Sequence, residues 1–155
     1  MSEEERSELL DLLEAAPRWF SRAAAMSSAG GSASADGEWT IAQVLHHVRA
    51  ADAILSARIY CVVVRDGAPL VAFDERAWGA LIGASGVSLD DQAAHFALRR
   101  AELVAEMRAL AQEEWSRTGK HERQSTLTLT DIASSIVSHE TEHRLQIEAM
   151  LRAAT

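Results

Sequence analysis

The sequence predicts an all-α protein, a four-helix bundle with a long crossover connection. Hydrophobic residues make up 48% of the 155 residues, mostly Ala, Leu, Val and Ile, and only two prolines occur. Ala and Leu favour helices, whereas proline interrupts them. Four long segments also repeat their apolar residues at helical spacing, with connections of about 10 to 25 residues between them. The length predicts a single domain over residues 1–155.

The first predicted helix runs from Glu3 to Met26. Ser2 and Glu5 have the spacing of a capping box, and the acidic first turn suits the positive end of the helix dipole. Pro17 lies inside the helix, so a kink or a break is expected there. Residues 27–37, SSAGGSASADG, have the composition of a flexible loop.

The second predicted helix runs from Ile41 to about Arg65. Thr40 and Gln43 form a second candidate capping box, and Gly67 is a suitable stop. His47 lies on the apolar stripe of this helix, where an aliphatic residue would be typical.

The connection after this helix, residues 67–87, is long enough to cross one end of the bundle and contains a short possible helix, DERAWGALI. The third long helix follows from Leu89 to about Trp115, and Ser88 with Asp91 caps its N-terminus. The polar residues 116–128 are predicted to form a loop.

The final predicted helix covers Asp131 to Leu151, with Thr128 or Thr130 as its cap. Its apolar face includes two histidines at i and i+4, which lie one above the other and can contact the same ion. Spacings of four, three, four, four and three place six residues on this face: Ile132, Ile136, His139, His143, Ile147 and Met150.

Charge and composition argue against several classes of partner. The formal net charge of −8 repels nucleic acids and anionic membranes on average. No apolar run approaches the roughly 20 residues of a membrane span, and the N-terminus is acidic where a secretory signal would be basic. The single cysteine, Cys61, fits a reducing compartment. A cytoplasmic protein without nucleic-acid or membrane partners is expected.

The segment HETEH, residues 139–143, matches the H-E-x-x-H motif of zinc proteases, in which Glu140 would be the general base. Such proteases mostly take a third metal ligand from downstream. Only twelve residues follow His143, and Glu148 is the sole candidate among them. The protease interpretation is therefore set aside.

Two interpretations of the histidines remain. In the first, His47 supplies a third ligand, because the helices of a bundle project core side chains towards one another. Three imidazoles with an open fourth position form a catalytic type of site for zinc or a similar divalent ion. In the second, the histidines are ordinary core residues with satisfied hydrogen bonds.

Several segments resemble one known family. WTIAQVLHHV, residues 39–48, is similar to the W-[ST]-x-x-E-[VI]-x-x-H signature of the DinB-like (DNA-damage-inducible, YfiT-related) superfamily. HETEHRLQI, residues 139–147, is similar to the closing H-x-x-x-H-x-x-Q-I of that family. AFDERAW, LRRAEL and EEWSRTGKHERQSTLTLTDI, which lie between them, also resemble family segments, so the similarity covers about residues 5–151.

The resemblance implies an up-down-down-up bundle, often a homodimer, in which three histidines hold a divalent metal. The matching positions are His47, His139 and His143. Zinc is the expected metal, with nickel, iron and manganese as alternatives. Gln146 matches the family's glutamine and is expected to steady the site from beside a ligand. Gln43 replaces the more usual glutamate of the family.

Characterised members of the family include transferases and isomerases that use low-molecular-weight thiols such as bacillithiol or mycothiol. The resemblance therefore implies a thiol-dependent S-transferase or isomerase whose partners are a small-molecule thiol and an electrophile. The Arg-rich, Ala-rich composition favours mycothiol as the thiol. The alternatives are a non-catalytic, stress-related binding protein and a metal-dependent hydrolase.

Other residues near these motifs are expected to have ordinary structural roles. Trp39 is expected to plug the end of the bundle, and Glu140 to face solvent. Cys61 is expected to be a small core residue. The remaining histidines are expected at the surface or partly exposed: His46, His95 and His121.

Overall fold

The computed structural model describes residues 1–28, 39–123 and 125–153, and within them the chain forms five α-helices, a short 3₁₀ helix and a small sheet. The α-helices are α1 (Glu3–Ser28), α2 (Ile41–Val64), α3 (Glu75–Ala84), α4 (Leu89–Arg108) and α5 (Leu129–Ala153). The strands are β1 (Ala68–Leu70), β2 (Thr118–His121) and β3 (Thr126–Thr128), and the 3₁₀ helix is Gln112–Ser116. Most of the predicted Ser/Ala/Gly loop lies outside the described residues. No helix in the described ranges has the length and apolar character needed to cross a membrane.

The four long helices α1, α2, α4 and α5 form the predicted four-helix bundle, in the up-down-down-up order that the family resemblance implies. α1 lies against α4 and α5, and α2 lies mainly against α5. The connection between α2 and α4 contains α3, which packs on α2. The predicted long crossover with a short helix is therefore confirmed.

Capping hydrogen bonds begin the four long helices at predicted positions. The hydroxyl of each capping residue accepts a hydrogen bond from the backbone N–H three residues later, a donor that has no partner within the helix. The donors and acceptors are Glu5 N and Ser2 Oγ at 3.2 Å, Gln43 N and Thr40 Oγ1 at 3.2 Å, Asp91 N and Ser88 Oγ at 3.1 Å, and Asp131 N and Thr128 Oγ1 at 3.1 Å.

Two helices differ from the prediction in their extent. α1 continues through Pro17 without a break, since Ala16 and Phe20 bury both halves of the helix in the core. α4 ends at Arg108, well before the predicted Trp115, and Trp115 reaches the core from the 3₁₀ helix instead. Burial of apolar side chains explains both differences.

The polar segment predicted as a loop contains the antiparallel hairpin of β2 and β3, and β1 pairs with β2 in parallel. Gly119 permits close packing here, because a Cβ at this position would lie 2.5 Å from Cδ1 of Leu70. Leu70 belongs to the apolar core, so the sheet is packed on one end of the bundle. The prediction of a loop was wrong because strands of three and four residues are too short to show the alternation of apolar and polar residues that identifies a strand.

The core consists of two apolar clusters with charged residues between them. The cluster near the N-terminal half of α2 includes Phe20 and Phe96, whose rings stack at 4.7 Å. The other cluster lies towards the sheet. Asp52 of α2, Arg100 of α4 and Glu140 of α5 each fall between residues of the two clusters along their helices. These three buried residues are called the ionic layer below.

Arg100 makes the shortest contacts of the ionic layer; Asp52 also accepts a hydrogen bond from Ser56 Oγ at 3.3 Å and lies 4.0 Å from Nη2 of Arg99. Nη2 of Arg100 donates to Glu140 Oε1 at 2.5 Å and to Asp52 Oδ1 at 2.8 Å. Its Nη1 donates to Glu140 Oε2 at 3.0 Å and to the Leu13 carbonyl at 3.1 Å. Glu140 is only 4% exposed, so the prediction that it faces solvent was wrong. The ionic layer joins α2 and α5 through α4.

Candidate metal centre

Three imidazoles from α2 and α5 converge at one wall of the bundle. Nε2 of His47 lies 3.0 Å from Nε2 of His139. The ring centres of His139 and His143, one turn apart on α5, are separated by 4.5 Å. One nitrogen from each of the three rings lies within 4.8 Å of the other two. The structure therefore brings together the three histidines that match the ligand positions of the family.

A hydrogen bond within α5 orients the His143 ring. Nδ1 of His143 lies 2.8 Å from Oε1 of Gln146. Because an amide oxygen can only accept, Nδ1 of the neutral ring carries the proton and Nε2 has the lone pair. This is the arrangement in which an outer residue fixes the tautomer of a metal-binding imidazole. Gln146 thus occupies the position beside a candidate ligand that was expected for it.

Burial favours the neutral, lone-pair-bearing form of two of these rings. Burial first, and then the neighbouring His143 and His47, together lower the pKa of His139 to about 4. The pKa of His47 is also below its ordinary value, first because of burial and then because of His143, with Glu75 opposing the shift. Neutral imidazole is the form that binds metal ions.

The spacing of the rings fits a small divalent ion. Two imidazole nitrogens bound tetrahedrally at about 2.0–2.1 Å from a zinc ion would lie about 3.3 Å apart. His47 and His139 already hold two nitrogens at 3.0 Å. Three nitrogen donors suit zinc and the similar first-row ions, and they leave a further coordination position for a water or a substrate. The donor set therefore fits the expected metal.

A cleft of about 930 Å³ opens directly in front of the three rings. Its other walls come from Trp39, two residues before α2, from the first turn of α3 and from the last turns of α5. The lining residues that carry polar or aromatic groups beside the histidines are Trp39, Glu75, Arg76, Glu142 and Gln146. A substrate of moderate size can therefore reach the open side of the cluster.

Two glycines hold α3 against the ligand-bearing part of α2. A Cβ on Gly79 would lie 3.1 Å from Cα of His47, and a Cβ on Gly83 would lie 2.7 Å from Nδ1 of His46. The helices therefore approach with backbone nearly in contact. This contact places the first turn of α3, with Glu75 and Arg76, at the edge of the cleft.

Trp39 has a double role. Its indole packs against the apolar cluster that includes Phe20, in keeping with a plug at the bundle end. Its ring centre also lies 5.2 Å from that of His47, so the indole forms part of the wall of the cleft.

Glu140 does not take part in the cleft in the way that the protease motif requires. Both of its carboxylate oxygens accept hydrogen bonds from Arg100. A carboxylate held in this way inside the core is not available as a general base beside His139. The structure agrees with setting the protease interpretation aside.

The remaining histidines lie outside the cluster. The ring of His46 is partly buried beneath Gly83, and Nδ1 of His95 lies 2.6 Å from Nη2 of Arg49 at the surface. His121 belongs to β2 and contacts Arg58. Cys61, predicted to be a core residue, is exposed because it lies on the outer side of α2.

The low pKa of His139 predicts a loss of stability in acid for the metal-free protein. The ordinary pKa of His139 is 6.5, and its pKa in the folded protein is about 4. At pH values between these two, His139 is protonated in the unfolded chain and neutral in the folded chain. Stability is therefore full above pH 6.5 and falls as the pH drops towards 4. When the pH falls from 7.5 to 5.0, the protonation of His139 should lower the free energy of unfolding by about 2 kcal/mol.

Urea unfolding of chelator-treated protein at the two pH values measures this loss. His139→Gln serves as the reference, because it lacks the titrating ring while every carboxylate stays in place. The wild type should lose more stability than the variant between pH 7.5 and 5.0. Equal losses in the two proteins would contradict the prediction.

Comparisons with known proteins agree with the fold and the family resemblance. The model of the DinB superfamily matches residues 2–147. Among solved structures, the chain is similar to YfiT from Bacillus subtilis, described as a probable metal-dependent hydrolase with an unusual four-helix bundle topology. The TM-score is 0.88 with 22% sequence identity, and the match covers 99% of this chain and 89% of YfiT. A comparison with curated proteins finds no match.

Proposed function

The chain belongs to the DinB superfamily, and on that premise we propose that it is a divalent-metal-dependent enzyme that activates a small thiol for transfer to an electrophile. The main support is the convergence of His47, His139 and His143 at the wall of an open cleft. Zinc is the proposed metal, because three imidazole nitrogens at this spacing suit its tetrahedral geometry.

Each group in the cleft has a task in this proposal. The three imidazoles hold the ion, and Gln146 keeps His143 in the required tautomer. A bound divalent ion lowers the pKa of a thiol at its open position, so that the thiolate forms at neutral pH. The cleft orients the thiol and its electrophile next to each other. Glu140 is bonded to Arg100, which favours a reaction that needs no carboxylate base beside the ligands.

Hydrolysis is a second candidate, for a specific reason. YfiT is described as a probable metal-dependent hydrolase, and Glu75 and Glu142 line the cleft of this chain. Either carboxylate could accept a proton from an attacking water. A stress-related binding protein, in which the metal only joins α2 to α5, is the non-enzymatic alternative.

Elemental analysis of the purified and the metal-reconstituted protein tests the first step. About one divalent ion per chain is expected, and the absence of metal even after reconstitution would contradict the proposal.

The metal-loaded protein is then incubated with small thiols and monochlorobimane. Metal-dependent conjugation of a thiol supports the transferase. Hydrolysis of model esters or amides without thiol consumption would favour the hydrolase, and neither activity would favour the binding protein.

A further inference from the structure

Arg76 is an unpaired cation at the edge of the cleft. Within the described residues its guanidinium makes no hydrogen bond or ion pair, and its carbon lies 5.3 Å from the centre of the Trp39 ring. Glu75 and Glu142 line the same cleft, yet neither carboxylate is within 4.0 Å of it. Five other arginines in the described ranges do pair with carboxylates: Arg99, Arg100, Arg108, Arg117 and Arg144.

Arg76 lies close to the histidine cluster. The Trp39 indole contacts Arg76 on one side of the site and the His47 ring, at 5.2 Å, on the other. Arg76 lines all three recesses that meet at His47, which have volumes of about 350, 490 and 930 Å³. A small molecule at the open side of the three imidazoles therefore lies within reach of this guanidinium.

The chemistry of a stacked guanidinium suits one class of ligand. Contact of the planar group with an aromatic ring leaves the N–H donors at its edge free. Two of these donors match the two oxygens of a carboxylate. A phosphate dianion fits less well, because Glu75 and Glu142 line the same cleft and the chain has a net charge of −8.

We propose that Arg76 binds a carboxylate of the substrate while the reacting atoms lie at the three histidines. The inference rests on the proposed function and specifies its substrates: the thiol or the electrophile carries a carboxylate a few bonds from its reacting atom. Arg76 is thus a specificity-determining residue on α3, held in place by the contact of Gly79 with His47.

The first arm of the test measures thiol binding without turnover. The protein is loaded with Co²⁺ and titrated with mercaptoacetate or with mercaptoacetamide, which differ in the carboxylate alone. The sulfur-to-cobalt absorption band reports binding. Three proteins are compared: wild type, Arg76→Gln, and Arg22→Gln as a control that removes the same charge from an exposed position outside the cleft.

The second arm places the carboxylate on the electrophile. All three proteins also carry Cys61→Ser, which removes the exposed thiol of the chain. With 2-mercaptoethanol as the thiol, conjugation of iodoacetate is compared with conjugation of iodoacetamide. The thiolate sulfur forms the new C–S bond, iodide leaves with the electrons of the C–I bond, and buffer takes the thiol proton.

In one of the two arms, Arg76→Gln should reduce the preference for the carboxylate reagent at least about fivefold relative to wild type, whereas Arg22→Gln should retain it. The preference is the ratio of the results for the carboxylate reagent and the amide reagent. The two reagents differ in intrinsic reactivity, but this difference is the same for every protein and does not affect the comparison of variants with wild type. The arm that shows the effect identifies the reactant that carries the carboxylate. An unchanged preference in both arms, with the cobalt spectrum present, would overturn the role of Arg76 alone. Absence of any cobalt spectrum would overturn this inference together with the proposed function.

Discussion

Replacement of Arg100 by methionine is expected to lower the free energy of unfolding by about 3–5 kcal/mol, the largest effect on stability among the changes considered. The substitution leaves the carboxylate of Glu140 buried without its cation, and leaves Asp52 with Arg99, at 4.0 Å, as its cation. Carboxylates that lose their closest cation in the core must lose hydration or take up protons, and both cost free energy. A domain of this size has a free energy of unfolding of about 5–15 kcal/mol. The variant should therefore still fold, with a low but measurable stability.

Chemical unfolding monitored by circular dichroism measures this change. Arg108→Met is the matched control on the same helix, because Arg108 forms its ion pairs with Asp11 and Glu14 at the exposed surface. The control should differ from wild type far less than Arg100→Met does. A similar loss in the two variants would show that Arg100 owes its effect to something other than the ionic layer.

A triple variant separates unpaired charge from lost packing. Arg100→Met with Asp52→Asn and Glu140→Gln removes every charge of the ionic layer and keeps side chains of similar size. It should recover about half or more of the lost stability, since removing a whole buried ion cluster costs less than removing one partner. No recovery would mean that packing around Arg100, rather than charge, determines the effect.

Replacement of His139 by alanine is expected to reduce metal affinity by more than about 100-fold, since even outer residues of metal sites contribute 10–100-fold. His139 is the central ring of the cluster, with Nε2 3.0 Å from that of His47 and its ring beside His143. The variant should purify as a folded protein, because the two apolar clusters and the ionic layer do not depend on this ring. Elemental analysis and competition with a chromophoric chelator measure the affinity.

His95→Ala is the matched control for this variant. His95 is an exposed histidine on α4, outside the cluster, and its Nδ1 lies 2.6 Å from Nη2 of Arg49. The control should keep its metal, and stoichiometric metal in His139→Ala would contradict the assignment of the site.

Chelator-treated wild type should also remain folded, as a catalytic site with an open position requires. Unfolding on metal removal would instead indicate a structural metal.

The long helices and most of their starts could be predicted from the sequence because the signals are local. A hydroxyl at the first position and the amide three residues later lie within one turn, so Thr40 and Ser88 act in the same way in any fold. Apolar periodicity likewise located α2 and α5. The small sheet was missed because its strands are short and their pairing joins distant segments.

The pair His139 and His143 could also be read from one helix, since residues at i and i+4 are neighbours on its surface. The third histidine could not be derived in this way. His47 precedes His139 by 92 residues, and spacing alone did not decide whether the three rings meet. The family resemblance supplied this expectation, and the packing of α2 on α5 brings the rings together.

Glu140 shows most clearly what only the tertiary structure decided. Its sequence neighbours favoured a solvent-facing residue, with a general base as the alternative, whereas the structure buries it in the ionic layer. One signal was present, because Asp52, Arg100 and Glu140 each lie three or four residues from apolar core positions on their own helices. The sequence alone therefore determined which residues share a helix face. Which charges meet inside the core, and that Arg76 remains unpaired beside the histidines, depended on how separate helices pack, because such contacts have no fixed spacing along the chain.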